Sequence, residues 1–221
     1  MKTMAKLSLI MIVLLSILLV FGGISIADEH MMGQHQTVHR FADASEIDGA
    51  EAILHRMEHG VQATFTTTEL NEGHVTTLWW VIFNAPENCS DMACGEDDIF
   101  NMDGDGAFIL NDDGSNPMNM DQIGGAQISA VRAVGIVVDE GGAAFFQGHL
   151  PIGDTTEAIF GPGLLDSMTA EIHLVIRDHG EAVSGEIDGM INSINGGCAD
   201  SWPNEPCTDL QFAVFPPSDG M

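Results

Sequence analysis

The chain has 221 residues, with 33 acidic side chains against 6 basic ones, a formal charge of −27 and four cysteines. Such a surface repels nucleic-acid phosphates and anionic lipid headgroups, which excludes a nucleic-acid partner and favours cations. With 45% hydrophobic residues the chain can bury a core, and disorder is excluded for most of its length.

The chain opens MKTMAKLSLIMIVLLSILLVFGGISIADEH. Lys2 and Lys6 precede an apolar run from Leu7 to Phe21, and Ser25-Ile26-Ala27 is a small-x-small cleavage pattern. Residues 1–27 are predicted to be a secretory signal peptide, with Asp28 the first mature residue. The alternative is an uncleaved anchor, because Leu7 to Ala27 could just span a bilayer of ~30 Å. No second long apolar run follows, so no stable membrane insertion is expected after cleavage. All 33 acids lie beyond Ala27, where the only basic residues are Arg40, Arg56, Arg132 and Arg177. Their spread along the chain favours general hydration, as in a salty habitat, over specific calcium binding.

Residues 28–48 have no clear period and are expected to form a flexible polar leader. His30, His35 and His39 fall there, at a spacing that fits no closed metal site. From residue 49 to 216 the pattern is that of a β domain. AEAILHRMEHGVQATFTTTEL predicts a hairpin turning at His59-Gly60. HVTTLWWVIFN predicts a central strand: adjacent Trp79 and Trp80 must point to opposite faces, so both faces are apolar. Residues 85–125 predict a long acidic loop insert with one small hairpin, Ile99-Phe100 against Phe108 to Leu110.

Strands resume with AQISAVRAVGIVVD, turn at Gly141-Gly142, and continue with GGAAFFQGHLPIGD. A connection around Gly161-Pro162-Gly163 leads to AEIHLVIRDHG, with Ile172, Leu174 and Ile176 on one face. QFAVF, residues 211–215, ends the domain, and residues 217–221 are a tail. The expected fold is all-β: a single β-sandwich with disulfide-stapled loops.

Behind a signal peptide an even cysteine count reads as disulfides. Three pairings are possible, and closure of the shorter loops favours Cys89–Cys94 with Cys198–Cys207. Their spacings are not those of a zinc ribbon.

Two constellations could carry a metal. In NMDGDGAFILND, Asn101, Asp103 and Asp105 stand at positions 1, 3 and 5 of an EF-hand loop, Gly106 at 6 and Asp112 at 12. Asn at position 1, Asp in place of Glu at position 12 and non-helical flanks exclude a true EF-hand. A calcium loop outside a helix pair is one reading, and a solvated Asp-Gly turn is the other. The second constellation is His74, His149 and His173, at strand ends that could meet. For His173, on the polar face beside Glu171 and Arg177, a cross-strand hydrogen bond or ion pair is the competing expectation. No cofactor is firmly implied, although calcium is possible. No nucleophile elbow, phosphate loop or singular carboxylate pair stands out, so an enzyme is not indicated.

TLWWVIFNAPENC, the following Cys-Gly, FGPGLLDSMTAEIHLVIRDHG and the closing GGC…CTDLQFAVF resemble a family of uncharacterised secreted bacterial proteins. The likeness covers about residues 50–215. It implies secretion and a C-terminal cysteine pair, and brings no activity. The EIHLVIR strand alone resembles the histidine-containing strand of the chordin-type CHRD domain, an extracellular β-sandwich-like module. Three functions follow as expectations: a secreted non-catalytic module binding a partner or cation, a metal-dependent extracellular enzyme or redox protein using the strand histidines, or a structural envelope protein of a salt-adapted cell.

Overall fold

The computed structural model describes residues 33–90, 93–104, 107–112, 118–194 and 207–218. The expected signal peptide, Asp105, Gly106 and Cys198 lie outside the described residues. Among the described residues there are nine strands: β1 (Gln34–Arg40), β2 (Glu46–Met57), β3 (Gly60–Thr67), β4 (His74–Phe83), β5 (Ile128–Val137), β6 (Ala144–Pro151), β7 (Ala158–Phe160), β8 (Glu171–Glu181) and β9 (Thr208–Phe215). They pair antiparallel in one sheet, in the order β6-β3-β2-β1-β9-β8-β4-β5-β7. The fold is all-β, as the alternating strands predict. Its facing layers are parts of one continuous sheet that curls. A Cβ on Gly148 of β6 would stand 3.0 Å from the Trp80 ring on β4 and 3.2 Å from the Ala133 methyl on β5.

The β2–β3 hairpin turns within one residue of the expected His59-Gly60. Met57 pairs with Gly60, leaving Glu58 and His59 as the loop. Glycine is required at position 60 because a Cβ there would lie 2.4 Å from the Leu150 carbonyl oxygen.

The central strand explains the paired tryptophans. On its inner face Leu78, Trp80 and Ile82 oppose Ile176, Leu174 and Ile172 of β8. All six are almost wholly buried, and they join Leu54, Phe65, Phe146 and Phe215 in the main core. On its outer face Phe83 belongs to a second cluster with Ile128, Cys89, Ile123 and Ala126. That cluster lies under the insert, which supplies the second apolar neighbour that β4 needs.

Two expectations are corrected. Residues 28–48 are not simply a leader, because Gln34–Arg40 is β1, inserted between β2 and β9. Its pairing with both neighbours satisfies backbone groups that a free leader would leave to water. The insert is less irregular than expected. It contains a 3-10 turn at Pro86–Asn88 and two short helices, α1 (Glu96–Ile99) and α2 (Met120–Gly125). A third, α3 (Ile187–Ile191), packs its Ile191 near Gly135 and Thr77. Among the described residues no helix is long and apolar enough to cross a membrane.

Candidate functional site

The insert is organised from within. Asp98, fully buried, accepts hydrogen bonds from Ser90 N–H at 2.8 Å, Gln122 Nε2 at 2.9 Å and Gly95 N–H at 3.0 Å. The bond to Gly95 is the reciprocal half of a capping box, three residues before Asp98 in Gly-Glu-Asp-Asp. The Cys89–Cys94 disulfide staples the same corner. Among the described residues, Cys89, Cys94 and Asp98 form the one group of three metal-ligating types close enough to share an ion. The two sulfurs are bonded to each other, so the thiolates a metal would need are consumed. Sequence reading passed over Asp98, because Gly95 has no side chain to mark a capping box and the fold alone brings Ser90 and Gln122 to it.

Asp103 and Ala107 pair across the DGDG run. Asp103 N–H donates to Ala107 O at 2.8 Å, and Asp103 Oδ1 accepts the Ala107 N–H at 2.9 Å. Met102 bridges to Phe108, and Ile109 N–H donates to Asn101 O at 2.9 Å. The small hairpin expected of Ile99-Phe100 is therefore corrected: Ile99 ends α1, Phe100 bridges to Met118, and it is Asn101 and Met102 that pair with Phe108 and Ile109, with Phe100 edge-on to Phe108 at 5.7 Å. Asp103 and Asp112 are both exposed. Part of Asp103's carboxylate is spent on the turn itself, and Asp105 lies outside the described residues.

The strand histidines are not brought together. His74 opens β4 opposite Glu181, whereas His173 lies opposite Val81. That is seven residues along the ladder, about 23 Å at ~3.3 Å per residue. His149 is exposed on β6, opposite Gln62. A shared metal on His74, His149 and His173 is therefore corrected: strand alternation and opposite strand ends separate the rings. Each has a local setting instead. His74 Nδ1 lies 3.0 Å from Asp178, which also accepts from Asn71 Nδ2 at 2.7 Å and Gly180 N–H at 2.8 Å. His173 Nε2 lies 2.8 Å from Glu171 Oε1, and its ring packs on Phe83 at 4.9 Å. The ion-pair setting expected of His173 is present, but within its own strand. Fully buried His179 joins Thr77 to Cys207, which carries no free thiol. The expected partner of Cys207, Cys198, lies outside the described residues.

One acidic contact was not visible in the sequence. Half-buried Glu96 on α1 lies within electrostatic reach of Asp209 on β9 and of Asp97. Burial first, then Asp209 and Asp97, raises its carboxyl above the usual carboxylate range.

The arginines show the strongest pattern. Arg40 grips both carboxylate oxygens of Glu69 and also donates to Ser45 and the Glu46 carbonyl. Arg132 pairs with Glu157. Arg177 donates to Asp209 at 2.9 Å and to the Ile194 carbonyl at 3.0 Å. Arg56 donates to Gln34 Oε1 and to the carbonyls of Ser167, Ala170, Phe215 and Pro216. Each of the four arginines beyond residue 27 is thus held by acceptors of the fold, and three of them neutralise the partly exposed carboxylates of Glu69, Glu157 and Asp209.

No family model, curated protein or solved structure matches this chain.

Proposed function

We propose that this is a secreted, non-catalytic β-sheet module with a carboxylate surface that acts by binding cations or cationic partners. The observation that carries the reading is the arginine set. All four are committed to internal acceptors, and no lysine follows residue 6. The outward field is therefore negative, and it speeds encounter with positive partners. The signal-peptide pattern and the Cys89–Cys94 disulfide support an oxidising, extracellular setting.

The test is melting of the protein in calcium, magnesium and sodium salts at matched ionic strength, beside titration with a fluorescent polylysine. Saturable polylysine binding that weakens as salt rises supports the module. A melt raised by micromolar calcium and not by magnesium supports a specific calcium site, and loss of that rise in Asp103→Asn with Asp112→Asn assigns it to the Asn101, Asp103, Asp105 and Asp112 loop. Absence of polylysine binding, with equal stabilisation by every salt, would support a structural envelope protein whose charge serves hydration alone.

A further inference from the structure

We infer that the groove between α2 and β7 docks an extended, apolar segment of a partner protein whose flanks are basic. The inference rests on the cation-attracting role just proposed and gives it a place on the molecule. The groove has a volume of about 420 Å³. Ile123, Ile128 and Phe160 line it, Met120 and Leu165 stand on its walls, and Gln127 is its one polar side chain. Met120 and Leu165 are 66% and 45% exposed, costly for apolar side chains with nothing to cover them.

The walls are fixed before any partner arrives. Asn84 Nδ2 donates to Gln127 O at 2.8 Å and Gly163 O at 2.9 Å, and Asn84 Oδ1 accepts the Leu165 N–H at 2.8 Å. One side chain therefore ties both sides of the groove. Ser129 Oγ accepts the Gly163 N–H at 2.9 Å. Gln127 is held at φ 50°, left-handed backbone that a non-glycine residue seldom adopts, and its side chain is exposed in the groove. Such preorganisation lowers the ordering cost of binding.

The occupant's form follows from β7. It ends the strand order, so its outer edge has no strand neighbour among the described residues. An edge offers backbone N–H and C=O groups to an added strand, whose alternate side chains would enter the adjoining groove. The occupant's charge follows from the chain neighbours of the two wall residues, Met120 and Leu165. Asp121 on α2 and Asp166 beside Leu165 are exposed, and no arginine is free to balance them. A second copy of this chain would set carboxylates against carboxylates, and an anionic lipid surface would be repelled likewise. Basic flanks around an apolar core satisfy both these carboxylates and the groove.

Three fluorescent peptides test this against the purified protein. One has a core of alternating valine and threonine with lysine pairs at both ends. The second keeps the lysines on a glycine-serine core, and the third keeps the apolar core with glutamate ends. The first should bind about tenfold or more tighter than either control. Met120→Glu with Leu165→Glu, both at exposed positions, should remove that advantage while circular dichroism stays unchanged. Hydrogen exchange at residues 158–160 should slow only with the first peptide. Equal binding of the two lysine-ended peptides overturns the groove and leaves the cationic role standing. Equal binding of the glutamate-ended peptide overturns the basic flanks. Failure of both lysine-ended peptides overturns the cationic role as well. Self-association of the protein through Met120 and Leu165 in sedimentation overturns the partner in favour of a second copy.

Discussion

Replacing Arg56 should unfasten the sheet at one end. Its guanidinium joins three separate pieces: Gln34 at the start of β1, the 167–170 loop, and the end of β9 at Phe215 and Pro216. Hydrogen bonds from a charged donor contribute about 1.5–3 kcal/mol each. They do not simply add, because Arg56 is only half buried and the Pro216 carbonyl can turn to water. The Ser167 and Ala170 carbonyls belong to buried residues and set the scale. Arg56→Ala should therefore cost about 3 kcal/mol. At about 2–4 °C per kcal/mol for a domain of this size, the melting temperature should fall by about 6–12 °C. Arg56→Lys keeps the charge but not the planar fork, and should recover less than half of the loss. Urea denaturation followed by the fluorescence of buried Trp79 and Trp80 reads both variants. A loss below about 0.5 kcal/mol for alanine, or full recovery by lysine, would refute the clamp.

Glu96→Gln tests the one carboxylate that the fold disfavours. Its folded pKa is raised above the ordinary 4.5 by burial, Asp209 and Asp97. Between 4.5 and that raised value the folded state holds a proton that the unfolded state has lost, so stability falls as pH climbs through this window. The variant should be more stable than the parent near neutral pH and equal to it below pH 4.5, read as urea midpoints. An equal difference at both pH values would contradict the assignment. Replacing Cys89 and Cys94 by alanine opens a short loop, which chain entropy puts at about 2 kcal/mol, with the loss seen first as proteolysis within residues 85–125. Gly161→Ala should destabilise strongly, by ~2 kcal/mol or more, because φ is +85° and a Cβ would stand 2.2 Å from the Ile128 carbonyl oxygen. A thermal melt unchanged from the parent would show that this turn can relax.

The strands that were legible carry a two-residue period or a dense run of β-branched and aromatic side chains: the β2–β3 hairpin, β4, β5, β6, β8 and β9. β1 was not, because QHQTVHR buries a single residue, Val38, and shows no alternation to read. Its place depends on pairing with β9, whose sequence lies about 170 residues away. β7 is too short to have a period at all. At the candidate site the oxygen-rich loop was readable from spacing alone. The histidines misled, because a sequence shows that residues stand at strand ends but not at which end of the sheet. Asp98 and Glu96 draw their character from Ser90, Gln122 and Asp209, partners that only the fold supplies.

The arginine ties have a consequence for proteolysis. Proteases of the trypsin type cut after lysine or arginine and must draw that side chain, in extended backbone, into their own pocket. Beyond residue 27 this chain offers them four places. At each one the guanidinium is already held by carboxylates or carbonyls of the fold. Cleavage there requires local unfolding first, so the tethering of all four arginines also makes the folded protein a poor substrate for a common class of extracellular protease.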